Sequence, residues 1–243
     1  MSSGSPQLRV SKSTQAAADS CFKYLLQSFE EYLKTQSFAT FAISGGSSPK
    51  LLFTKLAEAD FDWGRIHFFW VDERCVPPTD KDSNFKLAHD TLLGPAKVPE
   101  SNIHRVYGEL PPAEGAAKYI EEIKKFFNLP DGQLPSFDVL HRGMGPDAHT
   151  ASLFPGEPLI QNHTDIAANV WVEKFKMHRV TLLPGVLRAA KETVLQVGGE
   201  DKADAVRNVL TGEEDLMRFP CQIASRDSNA VWFLDQAAAA KLT

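Results

Sequence analysis

Cysteine is scarce and scattered: Cys21, Cys75 and Cys221 are the three in 243 residues, an odd number without C-x-x-C spacing. A disulfide framework is excluded, a structural zinc site finds no support, and the expected compartment is a reducing one. No stretch offers the roughly 18 uninterrupted apolar residues of a membrane span. The amino terminus, MSSGSPQLRV, lacks the apolar core of a secretion signal. A soluble cytoplasmic protein with no membrane partner is expected. A basic surplus is lacking too. The formal net charge is -5, whereas a general nucleic-acid binder carries excess Lys and Arg against phosphates. No nucleic-acid partner is expected, and any anion site must be local. Repeats, linkers and low-complexity tracts are absent, and 43% hydrophobic with 23% charged residues fit a globular chain. One domain over residues 1–243 is expected, with residues 1–12 flexible.

What is present is an alternation of short apolar runs with helical periodicities. Residues 14–34 place Ala17, Cys21, Tyr24, Leu25, Phe29 and Leu33 on one helical face. Strands are expected at 38–43, 66–71, 103–107, 137–140, 169–172, 177–183, 193–197 and 231–234. Helices are expected near 50–59, 85–93, 112–127, 184–191, from 203 onward, and over the terminal AAAAKL. Strands alternating with helices imply an α/β fold, a single domain built on a mostly parallel sheet with helices on both faces.

Several strand ends carry chemistry. The run FATFAI stops at Ser44-Gly45-Gly46-Ser47-Ser48-Pro49 before a helix. Such a loop can aim backbone N–H groups and a helix N-terminus at an anion, with Ser47 or Ser48 capping. It lacks the Walker lysine and spacing, and alone it reads more readily as a serine-capped turn. The second run ends in Asp72-Glu73-Arg74, charges whose burial would require partners. Pro77 and Pro78 then enforce a loop, and Ser83-Asn84 precedes a helix. The richest stretch is FDVLHRGMGPDAHTASLFPG, where a strand stops at glycines and delivers Asp147 and His149. Ligands of open α/β sheets collect beyond the carboxyl ends of strands, so this pair lies where a substrate would arrive. A D-x-H on a loop is, by itself, more often only a polar turn.

The longer pattern GMGPDAHTASLFPG resembles the G-x-G-x-D-G-H-x-A-S-L-F-P signature of the 6-phosphogluconolactonase family. S-G-G-S-S-P, D-E-R-x-V-P, S-N-F, the R-V-T-L segment around Arg179 and G-G-E-D-K-A ending at Lys202 resemble further family motifs, in the family's order over nearly the whole chain. The chain departs from the pattern at four places. Ala148 replaces a Gly that can adopt angles closed to other residues. Arg142 replaces an apolar residue and is expected at an exposed strand end. Pro184 comes one place early, and Arg188 replaces an Asn.

The resemblance implies a Rossmann-like fold of the glucosamine-6-phosphate isomerase/6-phosphogluconolactonase type, and hydrolysis of 6-phospho-D-glucono-1,5-lactone without a cofactor. His149 would be the general base, since an imidazole titrates near neutrality and can return its proton to the leaving oxygen. Asp147 would orient it or contact sugar hydroxyls. Arg74 would stabilise the oxyanion or hold substrate, with Asp72 fixing Arg74. Gly45, Gly46, Ser47, Asn84, Gly145, Arg179 and Lys202 would bind the sugar phosphate. His141 and His149 show no metal-ligand spacing, so no metal is expected. The partner would be the small sugar-phosphate lactone, and the chain a monomer. Two alternatives stay open: a glucosamine-6-phosphate deaminase-like isomerase, which would carry F-N-E-P where this chain has Ser152-Leu153-Phe154-Pro155, and a non-catalytic sugar-phosphate sensor.

Overall fold

The computed structural model describes residues 5–242, apart from the Ser47 side chain. Its strands are β1 (Gln7–Ser11), β2 (Ala39–Ile43), β3 (Ile66–Trp70), β4 (Asp72–Arg74), β5 (Ile103–His104), β6 (Val139–Arg142), β7 (Ala167–Val172), β8 (Met177–Leu182), β9 (Glu192–Val197) and β10 (Ala230–Asp235). The helices are α1 (Thr14–Thr35), α2 (Ser47–Ala57), α3 (Asn84–Ala88), α4 (Pro112–Phe127), α5 (Pro184–Ala189) and α6 (Ala203–Thr211).

Seven strands form one parallel sheet in the order β1-β10-β9-β6-β2-β3-β5. From β2 the chain runs outward through β3 to β5, and β6 returns to the other side of β2 before β9 and β10 continue away. The order therefore reverses between β2 and β6, the crevice in which open sheets of this kind hold ligands. Asp138 fastens that junction. Its carboxylate accepts from the Thr40 N–H at 2.8 Å and hydroxyl at 2.9 Å, and its own N–H donates to Thr40 Oγ1 at 2.8 Å.

Two hydrophobic clusters cover the faces. Along β9 and β10 alternate side chains part company: Val194, Val231 and Phe233 join a cluster with Cys21, Leu25 and Phe29 of α1, while Leu195, Trp232 and Leu234 join Ala205, Val206 and Val209 of α6. Period-two alternation with apolar residues on both sides is what a strand covered on both faces requires. Helix α1 starts because the Ser13 side chain caps the Ala16 N–H. Its fully buried Phe29 meets Phe41 of β2 edge-on at 5.1 Å. Truncating such a ring costs roughly 3–5 kcal/mol.

A second sheet, antiparallel in the order β4-β8-β7, stands above the first. Val71 belongs to both: its N–H donates to the Ile43 carbonyl of the main sheet, and its carbonyl accepts from Leu182 N–H of β8, each at 2.8 Å. Asp72 and Arg74 thereby emerge over the crevice.

Three local expectations change. Gln7–Ser11, expected to be flexible, pair in parallel register with β10. The strand from Ile103 is only two residues long. The terminal AAAAKL forms tight turns rather than a helix. Asp235 caps that turn through the Ala238 N–H at 2.8 Å, and so short a segment cannot repay helix nucleation.

Candidate active site

A cavity of about 200 Å³ opens where β2, β6 and β9 end beneath β4 and β8. Its walls include Ser44, Gly45, Gly46 and Ser48 after β2, Asp72 and Arg74 of β4, and Asn84 of α3. Gly143, Gly145 and His149 after β6, Arg179 of β8, and Gln196 and Lys202 on or after β9 complete it. Residues far apart in sequence meet because each follows or ends a strand. Asp147 stands behind His149. The capping role expected for Ser47 falls on a side chain outside the described residues, while its backbone begins α2 with Gly46 at the cap position.

Two glycines are required by space. A Cβ on Gly45 would lie 1.9 Å from Asn84 Oδ1, and one on Gly145 would lie 2.1 Å from the His149 ring. Gly143 has room for one, its nearest neighbour being 3.8 Å away. Gly46 carries φ +122°, which favours glycine. Ala148, where a glycine angle was in question, is held at φ +62° with its side chain buried. Its N–H donates to the Gly145 carbonyl and its carbonyl accepts from Cys221 N–H, each at 2.9 Å.

The turn presents His149 in a fixed pose. Asp147 Oδ1 lies 2.5 Å from His149 Nδ1, which leaves Nε2 as the nitrogen able to accept a proton. The ring also stacks on Phe154, with centroids 4.0 Å apart and planes 21° apart. Partial burial works against the Asp147 carboxylate, but the hydrogen bond and charge of His149 and the ammonium of Lys174, 3.0 Å away, outweigh it. The carboxyl is held well below the usual range and stays ionised.

On the facing sheet, Asp72 does not fix Arg74. Antiparallel pairing sets Arg74 opposite Arg179 and Asp72 diagonal to it. Asp72 accepts from Ser152 Oγ at 2.7 Å and pairs with Arg179 at 3.7 Å. Arg74 instead donates to the Asp82 carbonyl at 2.5 Å. Burial lowers the Arg179 pKa, and Asp72 opposes that shift.

Glu73 is the organiser of this corner. Its buried carboxylate accepts from the N–H groups of Arg74, Asn84 and Phe85 at 2.6–2.7 Å and from Ser83 Oγ at 3.1 Å. Burial pushes its pKa up to about 7 against the pull of those three N–H groups. Asn84 is thereby fixed, its Nδ2 donating to the Asp72 carbonyl at 2.8 Å.

Several buried polar atoms at the cavity have no partner among the described residues: Ser44 Oγ, Asn84 Oδ1, Gln196 Nε2, and Nε of Arg74 and Arg179. Buried polar groups are rarely left so, and their concentration here fits a polar ligand. Gln196 Oε1 faces the buried His141 Nε2 at 3.3 Å. Burial drives the His141 pKa down to about 4, so the neutral ring donates and the amide N–H group of Gln196 is directed elsewhere. Lys202 donates to the Gly198 carbonyl at 3.1 Å. Asp235 holds that turn, accepting from the Gly199 N–H at 3.1 Å and from Thr14 Oγ1 at 2.6 Å.

Two departures from the family pattern are now placed. Arg142 is fully buried rather than at an exposed strand end. Strand β6 is central, and the guanidinium donates to the Ile223 carbonyl and to Thr150 Oγ1 beneath the turn that carries His149. Arg188 is exposed and outside the cavity. A larger cavity of about 540 Å³ lies behind α3, between Phe85, Lys97 and Tyr107. It contains none of the expected site residues, and its Arg105 is paired with Glu109.

Sequence reasoning missed Ser44, Gln196, Lys174, Phe154 as a stacking partner, and Glu73 as the organiser. Gln196 was signalled by a polar residue inside V-L-Q-V, whereas Lys174 carries no local signal.

Comparison with known proteins places the chain in a family. The family described as glucosamine-6-phosphate isomerases/6-phosphogluconolactonase matches residues 12–232. The 6-phosphogluconolactonase of Nostoc sp. (strain PCC 7120 / SAG 25.82 / UTEX 2576) is 36% identical over 220 residues, covering 90% of this chain and 91% of the relative. That of Treponema pallidum (strain Nichols) is 37% identical over 191 residues, covering 77% and 79%. The crystal structure of 6-phosphogluconolactonase from Thermotoga maritima superposes with TM-score 0.83 at 27% identity, over 95% of this chain and 99% of that one. With the family matched over nearly its whole length and relatives above 30% identity, the chain belongs to the glucosamine-6-phosphate isomerase/6-phosphogluconolactonase family.

Proposed function

We propose that this chain hydrolyses 6-phospho-D-glucono-1,5-lactone to 6-phospho-D-gluconate, the lactonase step of the oxidative pentose phosphate pathway, with His149 as general base. The observation that carries the reading is the Asp147–His149 pair, hydrogen-bonded at 2.5 Å and opening on the same cavity as Arg74, Arg179 and Lys202. His149 Nε2 takes a proton from water as the water oxygen bonds to the lactone carbonyl carbon. The resulting oxyanion is stabilised by Arg74. When the bond to the ring oxygen breaks, the imidazolium returns its proton to that oxygen, so one base serves both steps. Asp147 keeps the ring in the tautomer with Nδ1 protonated.

The phosphate is assigned to Arg179, Lys202 and the backbone of Gly45, Gly46 and Ser47 at the start of α2, where charge-assisted bonds and the helix dipole favour an anion. Asp72 orients Arg179. Asn84 and the Gly145 backbone face the sugar. In this reading the active unit is a monomer. Free cysteines at 21, 75 and 221 accord with a cytoplasmic setting.

A deaminase reading would need a carboxylate following the histidine to assist it. Here Ser152 is bound to Asp72, Leu153 is buried and Phe154 stacks on the imidazole. The test is to assay the protein on both substrates. Acceleration of lactone opening above the uncatalysed rate, with no ammonia from glucosamine 6-phosphate, is expected. Ammonia release without lactone opening would overturn the assignment. Tight binding of 6-phosphogluconate with neither activity would identify a sensor.

A further inference from the structure

We propose that Lys174, at the tip of the β7–β8 hairpin, is a positioning residue that sets the protonation balance of His149 by acting through Asp147. This rests on the reading of His149 as base. The Asp147 carboxylate is shared: Oδ1 lies 2.5 Å from His149 Nδ1, and Oδ2 accepts from Lys174 Nζ at 3.0 Å. The two partners come from different elements, one from the turn after β6 and one from the second sheet.

The hairpin tip is built to deliver this lysine. Glu173–Phe175 form a single 3-10 turn closed by Lys176 in the left-handed region at φ 50°. Glu173 does not compete for Lys174, because its carboxylate is engaged by Lys176 and, at 2.7 Å, by Trp171 Nε1. Phe175 fixes the tip a second time. Its ring meets Phe154 edge-on at 6.0 Å, and Phe154 stacks on His149. The Arg179 guanidinium lies 4.8 Å from the Phe175 centroid. The hairpin thus touches both the ring that supports the imidazole and the carboxylate that orients it.

With Lys174 in place, the negative charge of Asp147 is divided between an ammonium and the imidazole. Without it, the whole carboxylate charge bears on the imidazole, the imidazolium is favoured, and the ring keeps its proton to higher pH. Less of the base form is then available on the acid side. The other charged groups bordering the cavity are Asp72 and Arg74 of β4, Arg179 of β8, and Lys202 after β9. Among the described residues, none of these hydrogen-bonds the imidazole. Because Lys174 is about half exposed, solvent screens the pair, and the shift is modest.

The experiment is an NMR titration of the His149 ring, assigned by loss of its signal in His149→Ala, in the wild type, Lys174→Met and Lys174→Arg. Met keeps the stem of the side chain and removes the charge. The midpoint is expected to move up in Lys174→Met, to return toward the wild type in Lys174→Arg, and to differ less between variants at high salt. The acid limb of kcat/KM against pH should move with it. A purely structural role would lower turnover at every pH and leave the midpoint in place. An unchanged midpoint in Lys174→Met overturns the proposal. A wild type without lactone turnover would instead overturn the lactonase reading, and the titration would still decide whether Lys174 acts on His149.

Discussion

Asp72 and Arg179 form a buried ion pair at 3.7 Å, diagonal across β4 and β8, with each side chain only 7% exposed. The pair is strengthened at one end, where Asp72 also accepts from Ser152, and left open at the other, where Arg179 Nε has no partner among the described residues. A cation held by one carboxylate, lining a cavity and keeping one donor unpaired, suits an anionic ligand better than a purely structural bridge.

Replacing Arg179 should therefore have two separable effects. Arg179→Met is expected to weaken binding of 6-phosphogluconate by roughly 10- to 100-fold, the value of a charge-assisted hydrogen bond. It should also destabilise the fold by about 3 kcal/mol, because Asp72 is left as an unpaired buried charge. Adding Asp72→Asn should restore most of the stability and none of the affinity. Calorimetric titration and chemical denaturation of the single and double variants check both. Recovery of affinity in the double variant would remove Arg179 from the phosphate site.

Ala148 sits at φ +62° with its methyl group buried in the cluster that includes Met144 and Leu195. Left-handed backbone costs a non-glycine residue about 1–2 kcal/mol, while glycine would lose roughly 0.8 kcal/mol of methyl burial and about 0.5–1 kcal/mol of chain entropy. Ala148→Gly should thus change stability by less than about 1 kcal/mol, which accounts for alanine being accommodated at this turn. Ala148→Val, β-branched at a positive φ and overpacked, should cost more than about 2 kcal/mol. Denaturation curves of the two variants test the contrast, and equal losses would contradict it.

Stability should fall on mild acidification through histidines buried in neutral form. His67 Nδ1 lies 3.0 Å from His104 Nε2, and His104 Nδ1 lies 2.7 Å from Glu122. Burial, with the neighbouring His104, drives the His67 pKa down to about 4; burial also lowers His104 and, on its own strand, His141. Folded pKa values below the unfolded value of 6.5 mean that their contribution is complete above pH 6.5 and is lost as pH falls toward 4. The denaturation midpoint should drop across that window, and His67→Phe, whose ring would lie beside Phe38 and Phe126, should reduce the drop. An identical pH profile in that variant would contradict the account.

The main sheet was legible because its strands are apolar runs that stop at glycine or charge. FATFAI, IHFFW and TVLQV each became a parallel strand with the expected loop at its carboxyl end. The site was legible for the same reason: Gly45, Asp72, Gly145, His149 and Lys202 follow strand ends, and a doubly wound sheet gathers strand ends. The second sheet was legible only in part: β7 and β8 fall on expected strands, but a three-residue strand such as Asp72–Arg74 has no period to read, and its partner is over a hundred residues away in the chain. Arg142 was misplaced because charge at a strand end suggests solvent, whereas β6 is central and its end is roofed by the segment around Cys221 and Ile223. Lys174 was invisible because it reaches Asp147 from the tip of another hairpin.

The central claim is that His149 is the base for lactone hydrolysis, and the most direct measurement is turnover of 6-phosphogluconolactone generated in situ, with the uncatalysed opening subtracted, for the wild type and His149→Ala. The account predicts acceleration by the wild type and a loss of at least about a hundredfold in the variant, the usual contribution of general base catalysis, with binding of 6-phosphogluconate retained. Near wild-type turnover in His149→Ala would contradict it.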